Sequence, residues 1–355
     1  MPKPEADPVD PDQPLAQPLG QAQGQPLAQP LGEAQGQLPA QPSAQALARF
    51  DLHGLRHASF WDLPGVAPLG PDALPPEVIA APGPVPPAPP GTPWIEEARL
   101  LSPSRLMLEA PDMRLLVEDG ARVTLDAPGM ADDLARLMIG YAAGTILLHQ
   151  RGRMPLHAAA AAGADGAVLL LGDGGAGKST MAAMLARRGL HLVGDDMIAL
   201  AVGEEEGAAS GAVGLHRSMR TAKLWRDSVE ATGAAQGTSA LAGLEKSVRA
   251  WADPGAATAF PAPLRAIIHL GWLHPRDAAP ELTRLAPLHA LPLLRAAIAR
   301  ASLEGPMGLR ARYLARAARI VSHVPVFTLR RARDFARTDA ALDLVAACVA
   351  GPGRP

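Results

Sequence analysis

The sequence predicts an α/β fold preceded by a small β-rich region, and three observations predict it. From Leu156 onward, strand-like and helix-like apolar patterns alternate. Within that stretch Gly172-Asp173-Gly174-Gly175-Ala176-Gly177-Lys178-Ser179 matches G-x-x-x-x-G-K-[ST], directly after Val168-Leu169-Leu170-Leu171 and directly before a helical pattern. Upstream, short apolar runs between turn residues mark strands.

A chain of 355 residues, at roughly 150 per domain, leaves room for about two domains and a sizeable core. Lys plus Arg number 33 against 35 Asp plus Glu, a net charge of -2, so no global basic field exists to collect nucleic acid. The lone cysteine, Cys348, has no internal partner and sits in the apolar stretch Leu344 to Val349, which suits a reducing compartment. Met1-Pro2-Lys3-Pro4-Glu5 leads into no apolar targeting segment, and no run has the ~18 apolar residues of a membrane helix. The expectation is a soluble cytoplasmic chain with neither membrane nor nucleic acid as partner.

Along the chain, residues 1–46 come first as a tail. Ten of the twelve glutamines lie in the first 45 residues, and Gln13 to Gly24 recurs as Gln25 to Gly36 with one change. Such short Pro/Gln/Gly repeats bury too little apolar surface to stack, so the tail is expected to be disordered. Residues 47–128 form the β-rich region: a first strand around Phe50, Leu52 and Leu55, a Pro-rich bridge from Pro82 to Pro93, then strands over Arg105 to Glu109, Met113 to Val117 and Arg122 to Leu125. Asp119-Gly120 is the hairpin signal joining the last two. Residues 129–355 form the α/β domain. Its leading helix follows Pro128-Gly129, with Asp132 and Asp133 in the first turn and Leu134, Leu137, Met138, Tyr141 and Leu148 on one face up to Gly152.

Strands are then expected at Leu156 to Ala162, Ala167 to Leu171, His191 to Val193, Met197 to Val202, Leu264 to Trp272, Glu281 to Leu285 and Val324 to Arg330. Helices are expected at Lys178 to Arg188, His289 to Ala301, Leu309 to His323 and Asp334 to Ala350. The Gly/Ala/Glu-rich stretch 203–260 reads as loops, notably Glu204 to Gly211 and Gly233 to Gly237.

The chemistry concentrates between residues 156 and 200. In the glycine-rich loop, backbone N–H groups can converge on phosphate oxygens and the helix N-terminus adds partial positive charge. Lys178 can span β- and γ-phosphates and Ser179 can ligate Mg²⁺. Only four lysines occur in the chain, and one stands here, where a compact ammonium suits better than a forked guanidinium. The candidates for nucleotide binding are therefore Gly172, Asp173, Gly174, Gly175, Ala176, Gly177, Lys178, Ser179 and Thr180. Asp195-Asp196 ends the next short strand. In a parallel sheet that end shares an edge with the loop, so one carboxylate can support a metal while the other accepts a proton. The plain alternative is a turn or helix-capping pair. His157 opens the strand that the Asp165-Gly166 turn pairs with the loop's strand, and taken alone it reads as structural.

Leu156-His157, the Gly172 to Ser179 loop, Arg188-Gly189 and Asp195-Asp196 together resemble the C-terminal catalytic domain of bacterial HPr kinase/phosphorylase. The resemblance covers residues 151–200. It implies a P-loop kinase domain related to phosphoenolpyruvate carboxykinase, which transfers the γ-phosphate of ATP to a serine of the carrier protein HPr. It further implies His157, Lys178 and Asp195 as catalytic residues, Asp195 being the base, with Ser179 and Asp196 at Mg²⁺ and a homo-oligomeric assembly. The chain departs from that family in having Thr180 after the loop serine and no E-[IV]-R-G segment. Its layout, including His149-Gln150-Arg151-Gly152 and Lys223 to Ser228, looks more like the HPr-kinase-like enzymes of peptide-modification clusters, some of which phosphorylate a lasso precursor peptide.

The expected function is thus an ATP- and Mg²⁺-dependent serine kinase with a protein or peptide acceptor. Two alternatives stand beside it: a nucleotide-binding regulatory module without transfer, and a small-molecule or carboxykinase-like phosphotransferase. Arg217, Arg220, Lys223 and Arg226 could steady phosphate or an acidic substrate, a solvated loop being the plainer reading. His53 and His57 are about 13 Å apart on a strand, too far for one metal. Trp61, Trp94, Trp225, Trp251 and Trp272 are scattered and read as packing residues.

Overall fold

Two hairpin turns with positive φ frame the first sheet. The computed structural model describes residues 47–70, 72–203, 211–232, 239–240, 246–250, 259–273 and 279–350. The repeat tail, Trp251, the loop expected over Gly233 to Gly237 and all but Gly211 of the loop expected over Glu204 to Gly211 lie outside the described residues. His53 and Gly54, at φ 57° and 71°, turn β1 (Ala48–Leu52) back on β2 (Leu55–Ser59). β3 (Val78–Pro82), β4 (Trp94–Ile95), β5 (Ala98–Ser102), β6 (Arg105–Ala110), β7 (Met113–Glu118) and β8 (Arg122–Asp126) complete an eight-stranded sheet of order β1-β2-β3-β8-β7-β6-β5-β4. The expected hairpin at Asp119-Gly120 is present, with both residues at positive φ. Sequence reading missed β3, whose parallel partners β2 and β8 lie far off in the chain and leave no local signal.

The expected leading helix is one rod with a π-helical turn in it: α1 (Asp132–Leu137), the turn Met138–Ala143, and α2 (Gly144–Gln150). Its apolar face, including Ile139, Ile146 and Leu147, shares a core with Leu106, Leu115 and Val117 of the sheet. At the rod's end Gln150 accepts from the Gly120 N–H and donates to the carbonyls of Ser104 and Val117. His149 is buried between the Ala299 carbonyl and the Tyr313 hydroxyl.

The second region comprises β9 (Pro155–Leu156), β10 (Ala159–Gly163), β11 (Gly166–Leu171), α3 (Lys178–Arg187), β12 (His191–Gly194), β13 (Ile198–Val202), β14 (Val213–Leu215), β15 (Thr221–Trp225) and α4 (Arg226–Thr232). It continues with β16 (Ser239–Ala240), β17 (Lys246–Ala250), β18 (Ala262–Trp272), β19 (Glu281–Leu285), α5 (Pro287–Ala296), α6 (Arg310–His323), β20 (Val326–Arg331) and α7 (Asp339–Val349). The result is a mixed α/β structure. β11 pairs in parallel with β18 and β18 with β20, while β10 lies antiparallel between β11 and β12. β19 pairs with β20, and β14, β13 and β9 continue from the start of β18. β15, β17 and β16 make a separate three-stranded sheet within the stretch read as loops.

Both faces of the central sheet are covered, and β11 shows why its sequence is apolar throughout. Val168 and Leu170 pack toward α3 and α7 with Met181, Leu185 and Val345. Leu169 and Leu171 pack the other way, with Leu294 of α5 and Tyr313 and Ile320 of α6. Most expected boundaries shift by a residue or two, and three elements change more. The strand predicted over Leu156 to Ala162 breaks at His157-Ala158, because β9 pairs with β13 whereas β10 pairs with β11 and β12. The helix predicted from His289 starts at Pro287, a residue suited to the first turn, and ends at Ala296. The helix predicted from Asp334 opens as a separate 3-10 turn, Phe335–Arg337, capped by Asp334. Among the described residues no helix is long and apolar enough to cross a membrane.

Candidate functional site

The parallel strands end at one edge, and that edge carries the site. β11 runs out into Gly172, β18 into Trp272 and β20 into Arg331. β12, antiparallel to β10 and so parallel to β11, delivers Asp195 and Asp196 to the same edge. Crevices outside the carboxyl ends of such strands are where open α/β sheets bind ligands. Here a cleft of about 350 Å³ spans the loop from His157, Asp195, Asp196 and Lys223 on one side to Trp272, Arg331 and Phe335 on the other.

The loop turns sharply into α3. Gly177 adopts φ +85°, a left-handed conformation that favours glycine, and a Cβ there would stand 2.6 Å from Nη2 of Arg331, which would have to move. Lys178 follows as the first helical residue, buried, with Nζ donating to the carbonyls of Gly172 (2.8 Å) and Asp173 (3.3 Å). The N–H groups of this first turn have no intrahelical acceptor and face the loop.

Ser179 and Asp195 meet. Ser179 Oγ donates to Asp195 Oδ1 at 2.9 Å, and the other carboxylate oxygen accepts from the Lys223 N–H at 2.9 Å. Asp195 is only 2% exposed, and burial raises its pKa above the ordinary carboxylate value despite those two donors. Two hard oxygen donors this close suit a small divalent cation with further oxygen ligands.

Asp196 faces another way because its backbone is left-handed, at φ +75°. A non-glycine residue there stores strain, of order 1–3 kcal/mol, of the kind concentrated at functional sites. Its carboxylate pairs with the Lys223 ammonium and lies 3.3 Å from Nδ1 of His157, whose ring is half-exposed in the break between β9 and β10. Burial alone would raise the Asp196 pKa, but the His157 hydrogen bond and the Lys223 charge outweigh it and hold the carboxyl well below its usual range. Lys223 Nζ also stands 4.2 Å from the centroid of the Tyr141 ring. Tyr141 belongs to the π-helical turn and hydrogen-bonds Thr221, so the leading helix reaches into the site.

The sequence candidates thus separate into groups. Gly174, Gly175, Gly177, Lys178, Ser179, Thr180, Asp195, Asp196 and His157 line one cleft, where Thr180 donates to Ser228, whereas Gly172, Asp173 and Ala176 are not in its lining. Ser179 hydrogen-bonds Asp195 and not Asp196, whose left-handed backbone turns its carboxylate toward His157 and Lys223. Of the basic cluster, Lys223 alone joins the carboxylates. Arg217 lies over Phe260, Arg220 donates to the Gly65 carbonyl, and the Arg226 side chain lies outside the described residues. Sequence reading missed Tyr141 as a site residue, and it read Trp225 and Trp272 as packing, although both line the cleft. It also missed Arg331, for which strand-end position at the loop's edge was the available signal, and Phe335, which opens the 3-10 turn after β20.

No family model and no curated protein sequence matches the chain. Among solved structures the chain is similar to the Hpr(Ser) kinase/phosphatase from Coxiella burnetii, at 13% identity and a TM-score of 0.28, over 55% of this chain and 95% of that chain. A score that low carries no argument about fold or function.

Proposed function

We propose that this chain is an ATP-dependent phosphotransferase that passes the γ-phosphoryl group to a serine hydroxyl of a protein or peptide. The observation that carries the reading is the Ser179–Asp195 hydrogen bond beside the buried ammonium of Lys178, at the mouth of a loop with the G-x-x-x-x-G-K-S sequence. Gly174 supports it. A Cβ at that position would meet nothing within 4 Å, so the protein's own packing does not ask for glycine there. A phosphate chain lying on the backbone would.

Ser179 and Asp195 would hold Mg²⁺, and the residues fit: both offer hard oxygens, and a cation would favour the charged form that burial penalises in Asp195. Bound there, the metal supplies charge neutralisation on the transferring phosphoryl group. Asp196, at the cleft beside His157 and on the far side of Asp195 from Ser179, is placed to accept the proton of the attacking hydroxyl. The serine oxygen forms its bond to the γ-phosphorus, the bond to the bridging oxygen breaks, and ADP leaves. This reverses the division of labour that the family resemblance implied, since that gave the base to Asp195. A carrier protein of the HPr kind and a precursor peptide are the acceptors to compare, and the half-exposed Trp225 with Asp227 at the cleft mouth offers either one a surface.

The test is mass spectrometry of wild type and Lys178→Ala incubated with Mg·ATP and, separately, with HPr and with a serine-ended precursor peptide. Lys178-dependent addition of one phosphate to either acceptor is the expected result. Lys178-dependent ATP binding with no transfer to any serine would replace this reading with a nucleotide-binding regulatory module. Transfer to metabolites but not to serine peptides would replace it with a small-molecule phosphotransferase.

A further inference from the structure

Arg331 ends β20 as the register partner of Trp272 at the end of β18. It is 6% exposed. Its Nη2 donates to the Ala176 carbonyl of the glycine-rich loop at 2.8 Å, and its guanidinium carbon lies 4.3 Å from the centroid of the Trp272 ring. Its Nη1 is buried and has no hydrogen-bond partner. Among the described residues no carboxylate pairs with it, and burial pushes its pKa down to about 10. The nearest acidic neighbour in sequence, Asp334, is occupied elsewhere, accepting from the Ala336 N–H and lying 3.8 Å from Arg337. Arg333 adds a second positive group to the same wall, 5.8 Å from the Trp272 ring.

A buried guanidinium without a counter-charge is unfavourable, and supporting one carbonyl does not require a full positive charge. The strand order β12-β10-β11-β18-β20 locates what would repay it. Asp195 and Asp196 lie two strands to one side of the loop and Arg331 two strands to the other, roughly 10 Å each way at normal strand spacing. The loop therefore has a metal-binding and proton-accepting flank and, opposite, a cationic flank with aromatic faces from Trp272 and the exposed Phe335.

We infer that Arg331 binds the inner phosphates of a nucleoside di- or triphosphate, so that the nucleotide crosses the loop with its terminal phosphoryl group toward Asp196 and its nucleoside toward Trp272 and Phe335. The inference rests on the nucleotide reading of the loop given above. A guanidinium fork with one arm on the loop and the other free of partners suits a phosphate oxygen held against that loop. Lys178 and Arg331 then grip the chain from opposite sides.

The test is calorimetric titration of wild type, Arg331→Met, Arg331→Lys and Lys178→Ala with Mg·ADP and with pyrophosphate, alongside thermal melting of each ligand-free protein. Loss of one charge-assisted contact predicts about tenfold or greater weakening of both ligands in Arg331→Met. Arg331→Lys should fall between that variant and wild type. Ligand-free Arg331→Met should melt at or above wild type, because an unpaired buried charge has been removed. Unchanged affinity in Arg331→Met, with Lys178→Ala impaired, would overturn the role of Arg331 and leave the nucleotide reading standing. Weakened binding with melting several degrees below wild type in both Arg331 variants would make the residue a brace for the loop and overturn the inference. Absence of ADP and ATP binding by wild type would defeat the nucleotide reading itself.

Discussion

Two adjacent aspartates with unlike surroundings are what the site turns on. Asp195 is buried against Ser179, while Asp196 is held anionic by His157 and Lys223. Asp196→Asn is expected to slow transfer by about 10²–10⁴-fold with ATP affinity kept, the range of a lost general base. Asp195→Asn should instead weaken Mg·ATP binding, a split that titration and single-turnover rates would resolve; equal behaviour of the two variants would reject the assignment. Lys223 gives a pH test. Its charge lowers the Asp196 pKa, so Lys223→Met should raise it and move the acidic limb of the kcat/KM profile to higher pH. An unmoved limb would mean that Asp196 is not the group titrating. The doublet was legible in the sequence as a pair at a strand end. The unlike surroundings of its two members were not, because the left-handed φ of Asp196 depends on how β12 leaves the sheet.

At the scale of elements, the loop and α3 were legible because their signals are local: an apolar strand, glycines, then a helical period. The helix over 132–150 was legible by the same logic, but its π-helical turn was not. That turn brings Tyr141 under Lys223 and sets Gly140 against Met219. A Cβ at Gly140 would lie 1.9 Å from the Met219 sulfur, so Gly140→Ala should lose about 1–3 kcal/mol in urea unfolding. Met219→Ala combined with Gly140→Ala should cost less than the sum of the two single losses, and a strictly additive pair would argue against the contact. The elements that were missed, β3 and β15 among them, pair with partners distant in sequence, and short strands of ordinary composition announce nothing by themselves.

For the molecule as a whole, buried histidines make stability depend on pH. His53 and His57 lie in the first hairpin, and burial lowers their pKa to about 3; His149, between the leading helix and α6, is lowered to about 4. Each is neutral in the fold and takes up a proton near its ordinary 6.5 once unfolded. Their contribution is therefore complete above about pH 6.5 and is lost as pH falls toward 4 and 3. The melting temperature should decline steadily from pH 7 to 4.5, and His57→Phe, which can keep the stacking on Phe50, should flatten part of that slope. A melting temperature independent of pH over this range would contradict the burial of these rings as neutral groups.

The sequence by itself determined the α/β class of the second region, the glycine-rich loop with Lys178 and Ser179, and the carboxylate pair. Each of these is written within a dozen or so residues, in periodicity and in the φ angles that only glycine takes easily. Tertiary structure alone decided which groups face one another. Arg331 reaches a loop carbonyl 155 residues away, Tyr141 reaches Thr221 across 80, and Lys223 approaches Asp196 across 27. Those meetings follow from strand order and from parallel strands ending at a common edge, and the chain acquires both only when distant strands pair.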